Sequence, residues 1–227
     1  MFVVLEGLDG AGKSTQIQLL RRFFEARGAQ TEYLHFPRFD APIYGELIAR
    51  FLRGEFGAAE AVNSYLVALI FAGDRADAAT QIRTWLAADR VVILDRYVYS
   101  NIAYQCAKLE GSDADRAALR TWINELEYSH NHIPHPDLSL FLDVPFSFTE
   151  RKLTEQREGD DRDYLKGGKD IYESSLTLQQ RVRATYLDAA RTDARLRVVD
   201  CSDHEGGMAS PETIFARICE VLQPILK

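Results

Sequence analysis

Gly7-Leu8-Asp9-Gly10-Ala11-Gly12-Lys13-Ser14 decides the fold. The stretch fits the phosphate-loop pattern G-x-x-x-x-G-K-[ST], and its surroundings fit as well. Phe2-Val3-Val4-Leu5 ahead of it is a short apolar run that reads as a buried strand. Thr15 to Arg27 behind it reads as a helix, with Ile17, Leu19, Leu20, Phe23 and Phe24 apolar. Strand, glycine loop and helix in that order distinguish a phosphate loop from an ordinary glycine turn before a helix. The glycines let the backbone curl so that several N–H groups point at one phosphate chain, and the helix N-terminus adds partial positive charge. Lys13 is expected to reach the β- and γ-phosphates and Ser14 to hold Mg²⁺. The stretch therefore predicts a nucleoside triphosphate site and leaves open what uses the phosphoryl group.

Four more strand-like runs lie between helical stretches: Thr31 to His35, Val91 to Leu94, Leu138 to Val144 and Leu196 to Val199. Short strands alternating with longer helical segments predict an α/β fold, with a five-stranded parallel sheet flanked by helices. Ligands in such folds sit at the carboxyl ends of the strands. That rule picks out Glu6-Gly7, Phe36-Pro37, Asp95-Arg96 and Asp143 as the rim of the site. Without an internal repeat or a low-complexity linker, residues 1–227 read as a single domain.

The chain has 227 residues, 46% of them hydrophobic and 11% aromatic, enough for a sizeable core. Its net charge of −7 argues against general affinity for nucleic-acid backbone, though not against a local basic pocket. The three cysteines, Cys106, Cys201 and Cys219, form no C-x-x-C and read as buried free thiols in a reducing compartment. A strand and phosphate loop at the N-terminus leave no room for a signal peptide, and no apolar run approaches a membrane span. A soluble cytoplasmic protein is the expectation.

Several constellations bear on the chemistry. Val91-Val92-Ile93-Leu94-Asp95-Arg96-Tyr97 ends a buried strand on an acid and an arginine. Asp95 suits Mg²⁺ or its water, and Arg96 suits a phosphate gripped by two parallel N–H bonds; a structural ion pair is the alternative. Phe71 and Arg75, four apart in a helical stretch from about Glu60, share one face. They could stack a base and bond its edge, although the helix alone favours a core phenylalanine and a surface arginine. Phe36-Pro37-Arg38-Phe39 follows the second strand, and Gly45, Ile48, Leu52 and Gly54 mark a helix that would wall a pocket. Residues 155–170, mostly charged with Gly159, Gly167 and Gly168, read either as a solvated surface loop or as a mobile lid over the phosphates. His130, His132 and His135 lack metal-site spacing and read as a polar helix end. No Asn-Lys-x-Asp for guanine occurs, which counts against a GTP switch.

In order and spacing these pieces resemble the thymidylate kinases (dTMP kinases), within the nucleoside monophosphate kinases of the P-loop NTPase fold. The resemblance runs from Phe2 to about Tyr186. It covers the phosphate loop with Asp9 inside it, Phe36-Pro37-Arg38, Phe71 with Arg75, Asp95-Arg96-Tyr97, Ser100-Asn101, Tyr104-Gln105 and Asp170-Ile171-Tyr172-Glu173.

The resemblance implies ATP-dependent phosphorylation of dTMP to dTDP with Mg²⁺, in dTTP biosynthesis, by a homodimer. Lys13, Ser14 and the neighbouring Gly7, Asp9, Gly10, Ala11, Gly12 and Thr15 would bind ATP. Asp9 would contact the acceptor's 3′-hydroxyl and, with Ser14 and Asp95, organise the metal. Phe71 would stack on thymine and Arg75 donate to its O4; Arg96 would hold the acceptor phosphate. Asn101, Tyr104 and Gln105 would line the sugar and base pocket, with Tyr104 crowding the place of a 2′-hydroxyl. Phe36, Pro37 and Arg38 would form the adjoining loop, while Tyr172 and Glu173 would close over the acceptor. Members of the family differ in where an extra catalytic arginine sits. With Gly10 in the loop, this chain resembles those that supply it from the lid, as Arg162 or Arg157. The lid here is more acidic and glycine-containing than the family's arginine-dense lids. Glu6 either positions the loop or is an ordinary strand-end carboxylate, and Arg151 follows the fourth strand at the edge expected for adenine. Two rivals stand beside this assignment: a same-fold kinase acting on dUMP or a deoxynucleoside, and a non-kinase NTP-binding switch.

Overall fold

Each of the five apolar runs forms a strand: β1 Phe2–Glu6, β2 Thr31–His35, β3 Val91–Asp95, β4 Leu138–Asp143 and β5 Leu196–Asp200. The computed structural model describes residues 1–154, 160–166, 170–173 and 175–226, without the side chains of 152–154 and 160–162. The strands pair in the order β2-β3-β1-β4-β5, all parallel. β1 lies at the centre, with Phe2 beside Val92 and Val3 beside Leu138. A strand buried on both faces can be apolar throughout, which is why Phe2-Val3-Val4-Leu5 carries no alternation.

Successive side chains leave the sheet on opposite faces and build two cores. Phe2, Val4, Val92, Leu94 and Phe141 face one side. There they meet the helices α3 Ser64–Ala87, α4 Val98–Lys108, α5 Asp113–Asn124 and α7 Leu176–Thr192. Val3, Leu5, Ile93, Leu140 and Leu142 face the other, against α1 Lys13–Glu25 and α8 Pro211–Leu222. Every residue of α4 is buried, because α3, α5 and α7 all pack on it. Of the cysteines, Cys106 and Cys201 are buried and Cys219 is half-buried; all are free.

Two helix starts differ from the sequence expectation. α1 begins at Lys13 rather than Thr15, because Gly12 already turns the chain into the helix. α3 begins at Ser64 rather than near Glu60. The Asn63 side chain accepts the N–H groups of Tyr65 and Leu66 and so fixes the first turn there. α5 opens with a capping box between Ser112 and Asp115 and runs on into a π-helical turn, Glu125–His130. The Gly45–Leu52 pattern is met by α2 Tyr44–Leu52, and α6 Phe146–Thr154 follows β4.

Candidate active site

The carboxyl ends of β1, β2 and β3 open into a cleft of about 860 Å³. Its floor is the phosphate loop. Gly10 and Gly12 have φ of +78° and +80°, in the left-handed region. A Cβ at Gly12 would meet only the Met208 Cε, at 3.8 Å, so glycine is needed there for its backbone conformation rather than for space. Asp9, Gly10, Ala11, Gly12, Lys13, Ser14 and Thr15 all line the cleft; Gly7 lies just behind, at the end of β1.

Lys13 folds back over the loop. Its Nζ donates to the carbonyls of Leu8 (3.2 Å) and Gly7 (3.4 Å) and stands 3.8 Å from Asp95 Oδ1. Burial and the Arg96 charge pull its ammonium below the usual lysine range, against Asp95, Asp9 and Glu6. Asp95 shows the opposite balance. Burial would raise its carboxyl, but Lys13, His35 and Arg96 hold it below the usual value. Its Oδ2 is 3.4 Å from His35 Nδ1, while its buried Oδ1 has no hydrogen-bond partner among the described residues. An ionised carboxylate with one oxygen outside any hydrogen bond, in the same cleft as the exposed hydroxyl residue Ser14, has the hard-oxygen chemistry of a Mg²⁺ site completed by phosphates.

Arg96, largely buried, lines the same cleft. Its φ of +66° is unusual for a residue with a side chain. Its N–H donates to Leu5 O (2.8 Å), and the next N–H, of Tyr97, donates to Glu6 Oε1 (2.9 Å), so the turn is held on both sides. The guanidinium donates to Asp9 Oδ1 (2.7 Å) and Ser100 Oγ (3.2 Å), and Tyr104 OH donates to Asp9 Oδ2 (2.9 Å). Glu6 beneath is fully buried and accepts from Tyr97 N, Ser100 Oγ and Tyr186 OH. Burial pushes its carboxyl up against those bonds. Through these bonds it ties the end of β1 to α4 and α7.

Phe71 and Arg75 share a face of α3 and both line the cleft. Arg75 is not the surface arginine that the helix alone suggests: it is 2% exposed. Its Nε donates to Glu127 Oε1 at 2.9 Å, and Asn101 Nδ2 donates to the same oxygen at 3.1 Å. Burial opposes the guanidinium charge, but Glu127 outweighs it. Glu127, in the π-helical turn, is fully buried and absent from the sequence expectations. A charged residue in Glu125-Leu126-Glu127 gives no local sign that its partner lies on α3.

Asn101, Tyr104, Gln105, Tyr172, Glu173, Phe36 and Pro37 also line the cleft. Gln105 Nε2 donates to Tyr172 OH (3.0 Å), and the Tyr104 and Tyr172 ring centres lie 5.0 Å apart. Arg38 is not among the lining residues. Its N–H and Nε donate to Asp74, and its Nη2 donates to Asp77 Oδ2 at 2.6 Å, which turns it away. Arg157 lies outside the described residues. Arg162 falls in the 3-10 turn Asp160–Leu165, with its side chain outside the description. Arg151 on α6 lies over the Phe148 ring at 5.9 Å, and His135 stacks on Tyr128.

Tyr164 and Asp170 also line the cleft. Tyr164 stacks on Phe39 with ring centres 3.8 Å apart and donates to Asp170 Oδ2 at 2.8 Å. Burial and the charges of Asp9 and Glu173 push the Asp170 carboxyl up to about 7, against the Tyr164 bond. A carboxyl raised in the folded state binds its proton more tightly there than in the unfolded chain. Its contribution is therefore fully present below about pH 4 and is lost as pH rises through about 7. Asp170→Asn is expected to flatten that fall in urea melts across the window; an unchanged slope would mean that Asp170 does not titrate there.

A family model described as thymidylate kinase matches residues 5–208. A thymidylate kinase of Mycobacterium tuberculosis is 35% identical over 190 residues, 84% of this chain and 86% of the relative. One of Bifidobacterium longum is 31% identical over 230 residues, 100% of this chain and 88% of the relative. The solved structure of thymidylate kinase from Candida albicans superposes with a TM-score of 0.72 at 26% identity, over 98% of this chain and 91% of that one. The parallel sheet, the phosphate loop and these matches have one source: the chain belongs to the thymidylate kinase family.

Proposed function

We propose that this protein transfers the γ-phosphoryl group of ATP to the 5′-phosphate of dTMP. One observation carries the reading. A single cleft holds the phosphate loop with Lys13 and, in the same space, Arg96 and the Phe71–Arg75 face of α3. Lys13 and the loop N–H groups bind the ATP phosphates, and Arg96 grips the acceptor phosphate. Phe71 stacks on thymine, and Arg75, oriented by Glu127 and Asn101, donates to O4. Asn101, Tyr104, Gln105, Tyr172 and Glu173 enclose the sugar and base.

The acceptor oxygen is already anionic, so no general base is needed. The protein's task is to align two polyanions and neutralise the charge between them. A nucleoside acceptor would need a base, and Glu6, its candidate, is buried under three hydrogen bonds and does not line the cleft. Ser14, Asp95 and Asp9 are the residues suited to hold Mg²⁺, which would draw negative charge from the β- and γ-phosphates when bound. Arg162 and Arg157 are proposed as lid cations that complete the neutralisation.

We further propose one catalytic domain working as a cytoplasmic homodimer without nucleic acid. Leu66 and Leu69, half-exposed or more on α3, suit a partner helix; the net charge is −7, and no described helix is long and apolar enough to cross a membrane.

Thymine O4 accepts, whereas the matching cytosine amino group donates, so Arg75 would face a donor with a donor. A site built to pair a polar group rejects its opposite strongly, whereas one missing methyl changes little. In a coupled assay of ADP formation, dTMP is expected to exceed dCMP at least about hundredfold in kcat/KM, and dUMP by about tenfold. dGMP and thymidine serve as further acceptors. Equal use of dCMP would remove Arg75 from base selection, preference for thymidine would overturn the phosphate role of Arg96, and turnover without acceptor would point to a hydrolase.

A further inference from the structure

We propose that Lys108 positions the acceptor base, acting through Phe51 on Phe71 and Tyr172. The inference rests on the cleft being the dTMP site. Lys108 is the last residue of α4, and its side chain is 2% exposed. Among the described residues no carboxylate pairs with it. Its Nζ donates to the carbonyls of Val62 (2.7 Å) and Ala59 (3.2 Å), in the turn that leads into α3. These bonds fix the ammonium 5.3 Å from the centre of the Phe51 ring, within range of a cation–π attraction.

Phe51, on α2, is fully buried and does not itself line the cleft. Its ring meets Phe71 edge-on, with centres 6.4 Å apart at 89°, and Tyr172 at 5.4 Å and 70°. Both of those rings do line the cleft. Edge-to-face contacts of this kind are directional, so the orientation of Phe51 constrains both cleft walls. The phosphate loop and Arg96 take no part in this chain of contacts.

A buried ammonium is a costly way to fill space; a methionine or leucine would serve that purpose without desolvating a charge. Burial draws the Lys108 ammonium down to about 8, against the nearby Glu60 charge, so it still carries its proton at neutral pH. The Phe51 ring also touches Tyr172, whose phenol is bonded to Gln105. A cation kept in this place, aimed at the ring that touches both cleft aromatics, is accounted for by fixing that ring.

The test is steady-state kinetics of the full chain, with dTMP and ATP varied separately. Lys108→Met is expected to raise the KM for dTMP about tenfold, with kcat and the KM for ATP within about twofold of native. Lys108→Gln keeps a donor for the two carbonyls, drops the charge and serves as the second variant; the same split is expected. Phe51→Leu should raise the dTMP KM similarly, and Lys108→Met with Phe51→Leu should be no worse than the larger single effect. An unchanged dTMP KM, an equal rise for ATP, or multiplying effects in the double variant would overturn the role of Lys108. Native turnover confined to another acceptor would instead overturn the dTMP assignment, and the same split would then be read on that acceptor.

Discussion

Arg96→Ala is expected to lower kcat/KM for dTMP by about three orders of magnitude, much of it in kcat. Arg96 is buried, charged and aimed into the cleft by a backbone conformation that few side-chain-bearing residues adopt. Leu5 and Glu6 on one side and Asp9 on the other hold it there. A site that prepares a cation in this way spends little reorganisation at the moment of transfer. Arg96→Lys should recover only part of the loss, since an ammonium cannot offer two parallel bonds to one phosphate. Steady-state rates with ATP saturating are the measurement. A loss under about tenfold for Arg96→Ala would show that another group carries the acceptor phosphate.

The second large effect is on stability. Glu127→Ala leaves the Arg75 guanidinium buried without its carboxylate, and breaking a buried pair from one side costs about 3–5 kcal/mol. It also takes the shared oxygen from Asn101 Nδ2. Urea denaturation should therefore show a midpoint shift that is large against the 5–15 kcal/mol total typical of a folded domain. Combining it with Arg75→Met should return part of the loss, because the stranded charge is gone while the volume remains. A Glu127→Ala protein within about 1 kcal/mol of native would mean that solvent reaches Arg75 easily.

The strands and the phosphate loop were legible because their signals are local. Short runs alternating with helical stretches set β1 to β5, each to within one residue, and the loop names its own residues. Phe71 with Arg75, Tyr104 with Gln105, and Tyr172 with Glu173 entered as site residues through the resemblance to the thymidylate kinases, and the structure gathers them in one cleft. The partners were not legible. Glu127 lies far along the chain from Arg75, as does Asp74 from Arg38, and a carboxylate that pairs across the fold looks in sequence like any solvated one. Lys108 carries no sign in the sequence that its ammonium is buried against the carbonyls of Ala59 and Val62 and the ring of Phe51. The turn of Arg38 away from the cleft has the same origin, since Asp74 and Asp77 reach it from α3.

The central position of β1 has a consequence for how the chain is made. Of the five strands, the one made first is the one whose neighbours come later: Phe2 pairs with Val92, and Val3 with Leu138. At ordinary translation rates the interval is on the order of ten seconds. Through that time Val3 and Leu5 have no sheet to enter, and parallel pairing between distant segments is intrinsically slow. Nascent chains that have not yet emerged to Leu138 should leave β1 open to protease, and those that have cleared β5 should protect it. The strand that supports the phosphate loop is thus an aggregation hazard during synthesis, and a chaperone's most useful contact with this chain is β1.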